Sequence, residues 1–149
     1  MQELFLLLVA ASPVVELRGA IPLGLLVYGL PLWQVFLLAI VGNMIPVLLL
    51  PVLGVLAREL SLRFIFLERF FTWLFDKTRK RHAKMFELFR DFALVLFVAI
   101  PLPFTGAWTA MVAAFVFGIP FRLAFPLILF GVIIAGVIVS VLTLRVLAI

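Results

Sequence analysis

Two stretches of this chain, Pro31–Ala57 and Pro120–Ala148, are almost wholly apolar and each exceeds the roughly 20 residues a helix needs to cross a ~30 Å hydrocarbon core. Each opens with Pro two residues after Gly, a combination that starts a helix cleanly. Runs of this length constrain the fold more than any other feature, because a helix that is apolar on every face must lie in a large core or in lipid. Pro46 and Pro51 in the first run and Pro126 in the second should kink the helices or loosen their backbone bonding.

Composition decides between core and lipid. The chain has 149 residues, 67% of them hydrophobic, and a mean hydropathy of +1.39, which is too much apolar surface for so small a soluble domain to hide. A polytopic all-α membrane protein in the cell membrane is expected, forming a single integral domain over residues 1–149. Residues 2–15 have no basic leading segment and run into a charged motif rather than a small-residue cleavage site, so they are read as part of the fold and not as a signal peptide.

Cysteine is absent and His82 is the single histidine, which excludes disulfides, thiolate chemistry and an ordinary histidine metal cluster. There is no phosphate-binding GKS or GKT loop, no HExxH and no hydrolytic triad, so an enzyme, a metal and an organic cofactor are not expected. The net charge of +5 does not indicate nucleic acid: nine of the twelve basic residues lie between Arg58 and Arg90. Against five acids in residues 58–91 this is a local excess of +4, which the positive-inside rule places in the cytoplasm.

The second half echoes the first. Gly29–Gly42, GLPLWQVFLLAIVG, matches Gly118–Gly131, GIPFRLAFPLILFG, with Gly, Pro, Phe and Gly in register at an offset of 89. Each copy follows a Pro-broken polar motif, SPVVELRGAIP in one half and IPLPFTGAWT in the other. Pro101 and Pro103 leave an arm of about nine apolar residues before them, and at ~1.5 Å per residue such an arm reaches only about half-way across the core. A re-entrant helical hairpin fits that length. The same arithmetic gives an N-terminal hairpin with a short arm at Glu3–Ala11, a break at Ser12–Pro22 and a return at Leu23–Leu30. The expected organisation is therefore two inverted repeats, residues 1–57 and 92–149, each a re-entrant hairpin followed by a transmembrane helix. The alternative is four plain spans with both termini in the cytoplasm, which would strand Glu16 and Arg18 on a lipid-length helix at about 2.5 to 3.5 kcal/mol each.

Residues 58–91 join the halves. Phe64, Leu67, Phe71, Leu74, Met85 and Phe89 recur at threes and fours among Arg69, Lys77, Arg79, Lys80, Arg81 and Lys84, a pattern for an amphipathic helix or helix pair on the cytoplasmic leaflet, with His82 on its polar face.

The residues that could carry chemistry sit at the breaks. Pro13, Gly19 and Pro22 favour an extended Glu16–Arg18 segment, in which side chains two apart share a face and converge on one cavity. Glu16 is then a proton- or cation-binding carboxylate, with H+ or Na+ as the coupling ion, and Arg18 an anion receptor; the other reading is an ion pair that neutralises itself and pins the break. In the second half, the hydroxyls of Thr105 and Thr109 and the start of a helix near Gly106 could bind an ion or a phosphate, or could merely form a Pro-Gly turn. Asn43 could join the cavity from the first long helix, where Gln34 is the other polar residue, and Arg122 would anchor at the interface. Gly106, Ala110, Ala114 and Gly118, four apart, form a stripe that lets another helix approach, within the chain or across a homodimer.

VELRGAIPLG together with IPLPFTGAWTA resembles the family of small multidrug export proteins over most of the chain. More distantly the arrangement is similar to the DedA/VTT superfamily. That resemblance implies two inverted re-entrant hairpins, an acid in the first, an arginine in the second, and movement of lipids such as polyprenyl phosphate between leaflets. Glu16 matches the acid; Pro101–Trp108 lacks the arginine, leaving Arg18 to fill that role from the opposite hairpin. The expected function is a lipid-phosphate or phospholipid translocase with membrane lipids as partners, and the rivals are proton-coupled efflux of cationic amphiphiles and a non-transporting scaffold.

Overall fold

The computed structural model describes residues 1–63, 83–101 and 106–148, with side chains at 1–56, 90–101 and 106–148. Among these residues the fold is all-helical: α1 (Gln2–Ala11), α2 (Glu16–Pro22), α3 (Leu32–Met44), α4 (Leu50–Arg63), α5 (Ala83–Ala99), α6 (Ala107–Val116) and α7 (Phe121–Leu147). Two runs, Leu32–Leu56 and Phe121–Leu147, are long and apolar enough to cross a membrane. Their outward positions, among them Leu37, Val41, Val52, Phe130, Val137 and Val141, are exposed apolar side chains, the surface expected to face lipid.

The prolines act according to their neighbours. Pro46 has no N–H to give Gly42, and the chain tightens there into a 3-10 turn, Pro46–Leu49, in which the Ile45 N–H takes the Gly42 carbonyl instead. Pro51, in the first turn of α4, and Pro126, near the start of α7, leave their helices unbroken. Pro31 and Pro120 stand at the N-caps of α3 and α7, as expected from their spacing.

Within the first half, α1 runs down to a four-residue break, Ser12–Val15, and α2 runs back beside it. The break is shorter than the Ser12–Pro22 expected, because Glu16–Pro22 is helical; Glu16 and Arg18 therefore do not lie on an extended strand. Helix wins because Leu17, Ala20 and Ile21 bury on one side of α2, and because Pro22 is followed by a π-helical turn, Leu23–Val27, that accommodates the carbonyls it leaves unpaired. At Gly24 the three segments close up: a Cβ there would meet both Val35 Cγ atoms of α3 at 2.7 Å and Leu6 Cδ2 of α1 at 3.1 Å.

In the second half α5, α6 and α7 follow in turn, with residues 100–101 and 106 outside the helices. Gly29 and Gly118 share the left-handed conformation, with φ of 61° and 65°, and each is followed two residues later by an extended proline, Pro31 at (−64°, 142°) and Pro120 at (−65°, 147°). At the end of α6 the Ile119 N–H bonds the Ala114 carbonyl at 2.8 Å and the Gly118 N–H bonds Phe115 at 3.1 Å, the paired closure that a glycine at this position permits. Gly118 is thus an exposed turn residue, not the fourth member of a small-residue stripe; Ala110 and Ala114, on α6, are buried.

Gly42 and Gly131 make a matching pair of close contacts. A Cβ on Gly42 would meet the Leu7 carbonyl of α1 at 2.5 Å and Ala10 Cβ at 2.7 Å; one on Gly131 would meet the Val95 carbonyl of α5 at 2.9 Å and Val98 Cβ at 2.7 Å. Each long helix therefore presses a glycine onto its own hairpin's first arm. Each hairpin's second arm packs on the long segment of the opposite half, α2 on α7 and α6 on the 3-10 turn and α4. Phe36 lies over Gly136, and Leu32 and Leu144 face the same cleft, so α3 and α7 run antiparallel.

Residues 83–91, assigned from the sequence to the linker, are already helical as the first turns of α5, so the positions Met85 and Phe89 lie on a helix. The amphipathic pattern at Phe64, Leu67, Phe71 and Leu74, and His82, lie outside the described residues.

Candidate functional site

The starts of α2 and α6 meet at Glu16 and Gly106. Glu16 is 7% exposed, and its carboxylate lies against Gly106, on the Cα side where a Cβ would otherwise stand. It accepts the backbone N–H of Trp108, in the first turn of α6. The Trp108 indole Nε1–H reaches the other way and donates to the Ala11 carbonyl at the end of α1, at 2.9 Å. One residue of the second hairpin thus holds both sides of the first hairpin's break.

The local chemistry at each end explains this junction. An α-helix begins with N–H groups that have no partner in the helix, and an N-cap side chain usually takes one. Gly106 is the N-cap of α6 and has no side chain; Thr109 Oγ1 accepts the Gly106 N–H at 2.9 Å and donates back to its carbonyl at 3.1 Å, completing half of a capping box. The acceptor that the glycine lacks comes from Glu16, the first residue of α2. The negative carboxylate also sits where the dipole of α6 favours it.

Glu16 is held in an unfavourable backbone conformation to do this. Among the described non-glycine residues it is the one with positive φ, 53°, which costs an ordinary side chain on the order of 1–3 kcal/mol. On its N-terminal side, Ser12 Oγ donates to the Val9 carbonyl at 2.8 Å and accepts the Val15 N–H at 3.3 Å, shaping the break around exposed Pro13. Arg18, half-buried, lies close enough to Glu16 for their charges to interact.

Of the other candidates, Gly19 and Pro22 lie within or at the end of α2, and Pro101 lies in the second break. Thr109 is used in starting its own helix. Thr105 and Pro103 lie outside the described residues. Asn43 is fully buried next to the 3-10 turn, and neither its Oδ1 nor its Nδ2 has a partner. Gln34 instead donates to Glu3 at the exposed start of α1. Arg122 is exposed in the first turn of α7.

Trp108 and the Ala11 carbonyl are the functional groups that sequence reasoning missed. The signal for Trp108 was its indole donor beside a Pro-Gly break in an apolar chain; the carbonyl carried none.

A family model described as "Putative small multi-drug export protein" matches residues 16–138. The chain belongs to this family. The match begins at Glu16 itself, just past the first break, and runs into α7, so Glu16, Gly106 and Trp108 lie within the matched region while Ala11 and Ser12–Val15 precede it. Family and apolar helices together make this a membrane protein of the small multi-drug export type. No curated protein and no solved structure matches it.

Proposed function

We propose that this chain is a multi-pass transporter of the cell membrane in which the Glu16 carboxylate and the anionic headgroup of a lipid phosphate compete for one site. The observation that carries this reading is the carboxylate of Glu16 on the Trp108 N–H at the start of α6, with Arg18 beside it. A helix N-terminus and a guanidinium are the two groups that bind phosphate most readily, and an internal carboxylate holds the position an external anion would take.

The cycle follows from charge. Ionised Glu16 occupies the α6 N-terminus and locks the breaks together. A proton neutralises it, removes its attraction for the helix dipole, and lets the strained residue 16 relax. The phosphate then takes the Trp108 N–H and Arg18. Deprotonation on the other side restores the carboxylate and expels the headgroup. No bond is made or broken, so the protein works as a carrier and not as an enzyme.

The architecture that suits this cycle is a pair of inverted repeats with re-entrant hairpins. It is supported by the matching Gly-x-Pro turns at 29–31 and 118–120, by the Gly42 and Gly131 contacts, and by the antiparallel α3 and α7. The ten residues of α1 reach about 15 Å and pack beside α3 only from Glu3 opposite Gln34 to Ala10 opposite Gly42, so the hairpin turns back part-way. Irregular backbone at that depth is tolerated because it is buried against protein.

The family description favours a second reading, export of cationic amphiphiles with Glu16 alternating between proton and drug. Both are tested by leaflet-to-leaflet movement in proteoliposomes under a pH gradient, or a Na+ gradient in its place. A fluorescent polyprenyl phosphate should move with the native chain, at least tenfold more slowly with Arg18→Ala, and without response to the gradient with Glu16→Gln. Movement of a cationic dye that survives Arg18→Ala and stops with Glu16→Gln, with the lipid immobile, would replace the first reading by the second. Indifference to both substitutions would leave only a scaffold.

A further inference from the structure

A cavity of about 490 Å³ opens between the two arms of the second hairpin, and it takes no part in the Glu16 junction. Its walls are Leu94 and Phe97 of α5, Ala113 of α6, and Phe117 and Ile119 beyond it, with Arg90 as the charged residue of the lining. The volume lies within the ~300–1,000 Å³ of small-molecule sites. Because α5 runs toward the break and α6 away from it, Phe97 lies at the inner end and Arg90, Phe117 and Ile119 at the outer. The groove is thus apolar along its length and cationic at its mouth.

We propose that this groove binds one acyl chain of an anionic phospholipid of the cytoplasmic leaflet, with the phosphate at Arg90. The inference rests on the membrane placement given above, not on what the protein carries. Charge argues for this occupant. Arg90 is the last basic residue of the segment with the +4 excess, and exposed Arg122 follows Ile119 by three residues on the same side of the hairpin. Asp91 Oδ1 bonds Arg90 Nε and Nη2, each at 3.0 Å, which orients the planar guanidinium and leaves Nη1 for a headgroup oxygen. A zwitterionic lipid would fill the groove equally well but would gain less at its mouth.

The test is native mass spectrometry of the full chain in detergent, offered equimolar phosphatidylglycerol and phosphatidylcholine of identical chains. Phosphatidylglycerol should be retained about fivefold over phosphatidylcholine, the factor expected of one basic residue at an anionic headgroup. Arg90→Gln should bring the ratio to about one, and Asp91→Asn should raise it. Ala113→Trp, which fills the groove, should remove both lipids, with the melting temperature read alongside; Arg90→Gln alters no packed wall and tests the proposal even where Ala113→Trp does not fold. Equal retention by the native chain overturns the proposal. So does a dimer that Ala113→Trp dissociates while lipid binding stays unchanged, since the groove would then belong to a second copy. Glu16→Gln serves as control: binding that persists in it separates this site from the transport reading.

Discussion

The two hairpins have the same frame and opposite tips. In each, a left-handed glycine, an extended proline and a glycine pressed on the first arm set the path of the chain. Yet the first tip carries Ser12, Glu16 and Arg18, while the second offers a bare helix start at Gly106 and an indole at Trp108. The difference teaches that the halves are complementary rather than redundant: across the junction the first supplies the acceptors, the Glu16 carboxylate and the Ala11 carbonyl, and the second the donors, the Trp108 N–H and its indole. Neither tip would be satisfied in an apolar medium alone, where an unpaired backbone group costs several kcal/mol.

The largest effect should come from filling the matched close approaches. Gly42→Leu and Gly131→Leu each drive a side chain into a backbone carbonyl and should each cost about 3 kcal/mol or more, seen as loss of a monodisperse peak in detergent. A large loss at one position only would break the equivalence of the frames. Next is Gly106→Ala, whose methyl would take the space of the Glu16 carboxylate. It should lower thermal stability by about 2 kcal/mol in the native background and by much less in Glu16→Ala, and additive effects in that cycle would disprove the contact between tips.

Smaller changes sharpen the contrast. Trp108→Phe keeps the backbone N–H for Glu16 but leaves the Ala11 carbonyl unpaired, and should cost about 1–2 kcal/mol by thermal unfolding in detergent. Hydrogen exchange should rise at Ser12–Val15 in that variant and not at Gly29 or Gly118. Gly29→Ala and Gly118→Ala should each cost about 1 kcal/mol, and equally, because both place a Cβ at the same positive φ. Unequal costs would show that the two turns carry different loads.

Much of this was legible in the sequence. Pro31 and Pro120 announce helix starts by a local rule, and Gly29 and Gly118 precede them at the one spacing that closes the turn. The interruption at Pro46 follows from a missing N–H. Pro22 misled, since the same missing N–H is absorbed there by a π turn whose stability comes from packing on Val35 and Leu6. Glu16 and Arg18 stood out because charge in an apolar segment is costly, but their extended arrangement did not follow from Pro13, Gly19 and Pro22.

The sequence by itself therefore determined the apolar helical class, the two membrane-length helices, the Gly-x-Pro frame of each half and the singular position of Glu16. All of these depend on residues within a few positions of one another, through hydrogen bonds, sterics and hydropathy. Only the tertiary structure decided that Glu16 caps α6, that Trp108 joins both sides of the first break, and that each hairpin's second arm packs on the other half. Those contacts join groups far apart in the chain, Trp108 lying 97 residues from Ala11, and no local pattern encodes which unpaired donor an unpaired acceptor will meet.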